Sequence, residues 1–183
     1  DNSALAKNLY NAALFRIRQV FTGWNKTKRT DLEQLVFDEL KQTEAVYKSF
    51  KPRHVLSYAA LDKIMRATGN PDFFAGLPMQ TAQQVLKDAV HDFKAWLDSL
   101  KKYKKDPSNY TGKPKMPGYC KSSRKTFTVT NQDAVIYPVV DKNGCITGNE
   151  LKLPGFKKKE RIPIHYVHYV DHKSDLRMLT FKP

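Results

Sequence analysis

Apolar side chains recur at the spacing of an α-helix through the first hundred residues of this chain. One stripe predicts a helix that ends at Gly23, where a polar run follows. A second helix should begin at Thr30, because Thr30 and Glu33 match the capping box, in which each side chain bonds the other residue's backbone N–H. A third, shorter helix should start near Ser57 and end before Gly69. The first half of the chain is therefore predicted to be a helical domain.

The longest apolar stripe predicts a helix over residues 79–103, and the side chains beside it carry the first candidate chemistry. At about 100° per residue, five amide and ammonium side chains on one flank fall within roughly 40° of one another. They are Gln83, Lys87, Lys94, Lys101 and Lys105. Such a row can bind a phosphate backbone, and the Gln83 amide can read a base edge. A solvated face that only keeps the helix in solution would show the same pattern.

The pattern changes after residue 105. Residues 106–118 are rich in proline, glycine and lysine, which predicts a connector. Beyond it the apolar positions alternate, so we predict short strands over residues 126–130, 134–140, 151–153, 162–170 and 176–181, with a turn at residues 141–144. The predicted class is α+β, in which a helical domain precedes a small β-barrel or curled sheet.

The charge of the chain indicates which class of partner it binds. The formal net charge is +14, and residues 101–183 hold most of it, with 18 Lys and Arg against 7 Asp and Glu. A surplus of this size attracts polyanions with salt-dependent affinity, so nucleic acid is the expected partner. A basic domain with solvated lysines and a protein bound to an anionic membrane surface are the alternatives. Two cysteines indicate no disulfide framework and favour a reducing, cytoplasmic setting.

The connector interleaves cationic side chains with aromatic rings. Lys113, Lys115 and Lys121 occur among Tyr110 and Tyr119. Unpaired bases stack on rings while phosphates meet ammonium groups, so this composition suits a strand of nucleic acid. In the alternative interpretation, the tyrosines pack the seam between the two domains.

No motif for catalysis or metal binding is apparent in the sequence. His165 and His168 are three apart in a predicted strand and should point to opposite faces. Cys120 and Cys145 lack the C-x-x-C spacing of a zinc site. The sequence contains no phosphate-binding glycine loop and no convergent carboxylate pair that stands out for two-metal chemistry. We therefore expect no catalytic centre and no resident cofactor in this chain.

Five sequence blocks occur in the order found in one family of transposon-encoded proteins. They are SALAKNLYNAAL (residues 3–14), LPMQTAQQVLKDAVHDFKAW (77–96), KPKMPGY (113–119), KTFTVTNQDAVI (125–136) and LKLPGF (151–156). In this series the chain resembles the N-terminal half of TnpB, also called OrfB. That family comprises RNA-guided DNA nucleases of bacterial insertion sequences, long described as transposases and related to the compact type V CRISPR nucleases.

The resemblance implies an architecture and a set of partners. Residues 1–105 would be the helical recognition domain, residues 106–118 a connector and residues 119–183 the strands of an OB-like wedge β-barrel. The chain begins with Asp1 rather than Met, and the family's RuvC-like nuclease domain, with its carboxylates and Mg²⁺ ions, is expected beyond Pro183. The partners would be guide RNA and target DNA, with base pairing reading the sequence and the protein reading backbone shape and a short adjacent motif.

The resemblance also implies positions that read the adjacent duplex motif. They match Tyr58 in LSY, Gln83 in TAQQVL, and Thr130 and Asn131 in VTNQ. Together with the two basic segments, the predicted nucleic-acid-binding set is Tyr58, Gln83, Lys87, Lys94, Lys101, Lys113, Lys115, Tyr119, Thr130 and Asn131. The alternative function is a stand-alone, sequence-specific DNA-binding protein, such as a repressor or transposon accessory factor with a helix-turn-helix.

Overall fold

A computed structural model describes residues 1–130, 133–153, 157–164 and 178–181 of the chain. Its helices are α1 (Asn2–Gly23), α2 (Asp31–Val46), α3 (Tyr58–Ala67) and α4 (Met79–Lys105), with single 3-10 turns at Pro107–Asn109 and Lys158–Glu160. Its strands are β1 (Phe127–Thr130), β2 (Val135–Val140), β3 (Ile146–Lys152), β4 (Ile162–Ile164) and β5 (Met178–Phe181). The α+β class predicted from the sequence is confirmed.

Helices α1 and α4 form the centre of the molecule and pack against each other along their apolar faces. Leu9 and Ile17 of α1 and Leu86 and Phe93 of α4 are fully buried. Helix α2 packs on α1, and α3 contacts both α2 and α4. Within the described ranges, no helix has a stretch long and apolar enough to cross a membrane.

The corner between α1 and α2 follows from a glycine and the predicted capping box. A Cβ at Gly23 would lie 3.0 Å from the Phe37 ring, so only glycine allows α2 to approach the end of α1 this closely. The Thr30 hydroxyl accepts from the Glu33 N–H, and the Glu33 carboxylate accepts from the Thr30 N–H at 2.9 Å, which confirms the capping box. A hydrogen bond from the Lys26 ammonium, at 2.7 Å, is the main reason that the pKa of Glu33 falls to about 2.

The strands pair entirely antiparallel in the described part of the chain. β1 pairs with β5, and β2, β3 and β4 form a second sheet in that order. The predicted turn joins β2 to β3: the Asp141 carboxylate accepts from the Asn143 and Cys145 N–H groups, both at 2.8 Å, and Gly144 has φ +80°. These strands form two sheets and are not closed into one barrel.

The observed strand bounds correct one of the predictions. β3 begins at Ile146, five residues before the predicted strand at residues 151–153, because its first half is polar and pairs with β2 along the hairpin. Of the predicted strand over residues 162–170, Ile162–Ile164 is present and residues 165–170 lie outside the described residues. Of the strand over residues 176–181, Met178–Phe181 is present.

The helices and the strands share one hydrophobic core. Phe127 and Val129, alternate residues of β1, are buried, and β1 packs on α4. Ala134 and Leu151 continue the same cluster into the second sheet. The division of the chain into a helical domain that ends at residue 105 and a β domain that begins at residue 119 stays a prediction. The helices and the strands meet through apolar side chains.

Candidate nucleic-acid interface

The packing of α3 on α4 brings together three of the predicted site residues. Ser57 caps α3 and makes Tyr58 its first residue, while Gln83 and Lys87 lie one turn apart on α4. The Lys87 ammonium lies 5.0 Å from the centroid of the Tyr58 ring. Lys87 is exposed, and Tyr58 and Gln83 are half-buried. An aromatic ring, an amide and a cation therefore meet at one place on the surface, which we call the α3–α4 cluster.

A carboxylate behind the α3–α4 cluster orients the amide. Gln83 Nε2 donates to Asp62 Oδ1 at 3.3 Å, and Asp62 is itself held by the Arg66 guanidinium at 2.8 Å. This bond uses one amide N–H, whereas a glutamine side chain has a second N–H and a carbonyl oxygen to offer a ligand. Burial, with the charge of Asp62 second, raises the pKa of Tyr58 further above neutral pH.

The second half of α4 and the chain that follows it form a strongly basic surface. Ten cationic residues occur between residues 94 and 125, against two carboxylates, Asp98 and Asp106. Asp98 pairs with Lys101 at 3.3 Å, and Asp106 accepts from Ser108 and Asn109, so both carboxylates have partners. The exposed cations are Lys94, Lys101, Lys102, Lys104, Lys105, Lys113, Lys115, Lys121 and Arg124. This set is called the basic surface below.

Long-range hydrogen bonds fix the connector to the helices. Trp96 Nε1 on α4 donates to the Pro114 carbonyl at 3.1 Å. The Asn11 amide of α1 accepts from the Cys120 N–H at 2.8 Å and donates to the Cys120 carbonyl at 3.1 Å. The Pro114 contact places Lys113 and Lys115, its neighbours in the chain, beside α4. These anchors were missed in the sequence, because no local pattern relates residues so far apart.

The two tyrosines of the connector region have different surroundings. The Tyr110 ring packs edge-on against Tyr103, with 5.7 Å between ring centroids. The Tyr119 ring is 43% exposed, and the Arg18 guanidinium lies 5.0 Å from its centroid. Of the two tyrosines, Tyr119 is among the exposed large side chains, and the interpretation that the tyrosines pack the seam stays a prediction.

The segment that joins β1 to β2, predicted as a hairpin, is the least complete part of the predicted site, because β1 and β2 lie in different sheets. Thr130 ends β1, and its hydroxyl is buried without a hydrogen-bond partner among the described residues. Asn131 lies outside the described residues. Asp133 just beyond accepts from the Thr81 backbone N–H at 3.0 Å and from its hydroxyl at 3.1 Å. The segment between β1 and β2 thereby reaches the N-terminus of α4, two residues from Gln83.

Asp133 supplies the cap that α4 lacks. Pro78 at the N-cap position makes no side-chain hydrogen bond, so the Asp133 carboxylate satisfies an N–H of the first turn from 52 residues away. Proline has no side-chain acceptor for this role, and no local pattern in the sequence indicates that Asp133 fills it.

Replacing Asp133 by Ala is expected to lower the free energy of unfolding by about 1 kcal/mol, because the first turn of α4 loses its cap. Asp133→Asn keeps an acceptor and should lose less. Urea unfolding followed by circular dichroism measures both variants. Equal losses for Ala and Asn would contradict the capping role.

A partly buried polar network joins α1, α4 and the segment just before β1. The Tyr10 hydroxyl donates to Asp92 at 2.7 Å, and the Lys125 ammonium lies 4.1 Å from the centroid of the Tyr10 ring. Burial raises the pKa of Tyr10, with Asp92 adding to the shift, and burial also raises the pKa of Asp88. Over the ranges that the structure describes, no three His, Cys, Asp or Glu side chains come together as metal ligands.

No protein-family model, curated protein or solved structure matches this chain. The TnpB resemblance therefore rests on the quoted sequence blocks.

Proposed function

We propose that this chain is the nucleic-acid-binding part of a transposon-associated RNA-guided DNA endonuclease. It holds guide RNA and target DNA and reads the motif beside the target. In this proposal the helices are the recognition domain, the strands belong to an OB-like wedge barrel, and cleavage with Mg²⁺ belongs to a nuclease domain outside the chain.

The observation that carries the proposal is the α3–α4 cluster. The resemblance assigned motif reading to Tyr58 and Gln83, which are 25 residues apart, while the helical periodicity independently selected Gln83 and Lys87. The 5.0 Å contact between Lys87 and Tyr58 supports one site. An amide with free hydrogen-bonding groups next to an exposed ammonium suits the contact of a base edge and its neighbouring phosphate.

The basic surface supports the second half of the proposal. Its cations line α4 and the anchored connector, and both of its carboxylates are already paired. A polyanion that meets this surface releases counterions from several phosphates, which gives strong, salt-dependent binding without sequence preference. This is the behaviour expected of a surface that holds a guide RNA whose sequence the protein does not read.

Sequencing the RNA that copurifies with the chain tests this function. We expect one structured RNA to be enriched over total cellular RNA, and to bind the purified chain more tightly than a duplex DNA of any sequence. A variant in which four cations of the basic surface are replaced by Gln serves as the control and should lose the enrichment. Tight, sequence-specific binding of duplex DNA without RNA would instead favour a stand-alone DNA-binding protein.

A further inference from the structure

Residues 113–121 of the chain are neither helix nor strand, and they mix half-buried and exposed positions. Pro114, Met116, Pro117 and Cys120 are half-buried, and Met116 and Cys120 pack against the hydrophobic core. The other residues of this segment are exposed. The exposed row is Lys113, Lys115, Gly118, Tyr119 and Lys121.

Hydrogen bonds fix the backbone on both sides of Tyr119 in the chain. Two residues earlier, the Pro117 carbonyl accepts from Arg18 Nη1 at 3.1 Å. One residue later, the Cys120 backbone N–H and carbonyl both form hydrogen bonds with the Asn11 side-chain amide. Fixing the backbone on both flanks limits the positions of the ring, so little conformational entropy remains to be lost when a ligand binds.

One face of the Tyr119 ring is covered by a cation. The Arg18 guanidinium lies 5.0 Å from the ring centroid while it donates to Pro117, so the same contact that anchors the backbone supports the ring. Gly118, the preceding residue, has open space on its side-chain side, because a Cβ there would meet no atom within 4 Å outside its two chain neighbours. The ring remains 43% exposed.

From this arrangement we infer that Tyr119 is a stacking platform for one unpaired base of a single-stranded nucleic acid that runs along the connector. Lys115 and Lys121 contact the phosphates on the two sides of that base. The inference rests on the proposed function and deepens it, since it adds a single-strand site to a surface otherwise suited to duplex backbones. A base in a duplex is already stacked on both faces and cannot use the platform, whereas any unpaired base has a free face.

Fluorescence anisotropy with the full 183-residue chain tests the inference. The probes are fluorescein-labelled (rU)10, (dT)10 and a ten-base-pair DNA duplex. Tyr119→Leu is expected to weaken binding of a single-stranded probe about 5- to 150-fold, the loss of one stacked base, and to change duplex binding less than about twofold. Tyr119→Phe keeps the ring and should stay within about twofold of the unsubstituted chain.

The two single-stranded probes also distinguish the source of the base. If Tyr119→Leu weakens binding of (rU)10 alone, the base belongs to RNA, and if it weakens binding of (dT)10 alone, the base belongs to a DNA strand. Equal loss with both probes means that either strand can supply the base.

The matched control is Phe74→Leu, which removes another exposed ring, 53% exposed, away from the basic surface. It should leave all three probes unaffected. If Tyr119→Leu has no effect, or weakens single-stranded and duplex probes equally, the stacking platform is overturned while the proposed function stands. If the unsubstituted chain binds neither these probes nor its copurifying RNA, both are overturned.

Photocrosslinking keeps the inference testable if Tyr119→Leu fails to fold. The unsubstituted chain is irradiated with (dT)10 and (rU)10 in which a central base is replaced by 5-iodouracil, and the crosslinked peptide is identified by mass spectrometry. We expect the crosslink at Tyr119. A crosslink only at residues outside 113–121 would overturn the assignment.

Discussion

Replacing Lys94, Lys101, Lys113 and Lys115 together by Gln is expected to weaken binding of a 20-nucleotide hairpin RNA on the order of 100- to 1000-fold at 0.1 M salt. All four side chains are exposed, and the Trp96–Pro114 hydrogen bond fixes the connector that carries Lys113 and Lys115 to α4, which carries Lys94 and Lys101. Each phosphate contact contributes about 0.7–0.9 to the slope of log K against log salt, so the slope should fall by about 3.

A charge-matched variant separates this surface from net charge alone. Lys28, Lys41, Lys48 and Lys142 are equally exposed and lie on other parts of the chain. Their joint replacement by Gln removes the same charge and should change the slope by less than about 1. The measurement is anisotropy from 50 to 200 mM salt. Equal losses in the two variants would mean that the lysines of α4 and the connector form only a solvated face.

Replacing Glu39 by Ala is expected to lower the free energy of unfolding by about 3–5 kcal/mol, the largest stability effect that we predict for a single polar residue. Arg16 is only 7% exposed, and its guanidinium donates to both carboxylate oxygens of Glu39, at 2.8 and 2.7 Å. Among the described residues, removing the carboxylate leaves the buried guanidinium with the Ala12 carbonyl as its one remaining acceptor.

The double variant Arg16→Met with Glu39→Leu is the control for the buried charge. It removes both ions and fills the space with apolar side chains, so its stability should lie within about 1 kcal/mol of the unsubstituted chain or above it. Urea unfolding measures both variants. If Glu39→Ala costs less than about 1 kcal/mol, the pair behaves as an exposed surface ion pair and the predicted effect is wrong.

The helices could be predicted from the sequence because their signals are local. The stripe of α4 and the capping box of α2 lie within a few turns of the residues that they organise, and both helices begin where predicted. β3 shows the opposite case. Its residues 146–150 (ITGNE) have no apolar alternation, and the strand forms because the Asp141 turn brings them against β2.

In the candidate site, too, the features within one helix could be predicted from the sequence and the contacts between elements could not. The Gln83–Lys87 spacing is a property of one helix and could be predicted, whereas the contact of Lys87 with Tyr58 depends on how α3 packs on α4. The Asp133 cap joins residues 52 apart, and the Asn11–Cys120 hydrogen bonds join residues 109 apart. Pairs this distant follow from the packing of the whole chain, so no helix or strand pattern could have found them.

A selection from a randomised duplex library, by the chain loaded with its copurifying RNA, tests the reading role of the α3–α4 cluster most directly. The unsubstituted chain should enrich a short motif. Gln83→Ala should lose about 1–3 kcal/mol on that motif and relax the preference at one base position, whereas Lys87→Ala should weaken all sequences alike and keep the profile. An unchanged motif profile for Gln83→Ala, with normal RNA binding and normal stability, would contradict the assignment of this cluster as the reading site.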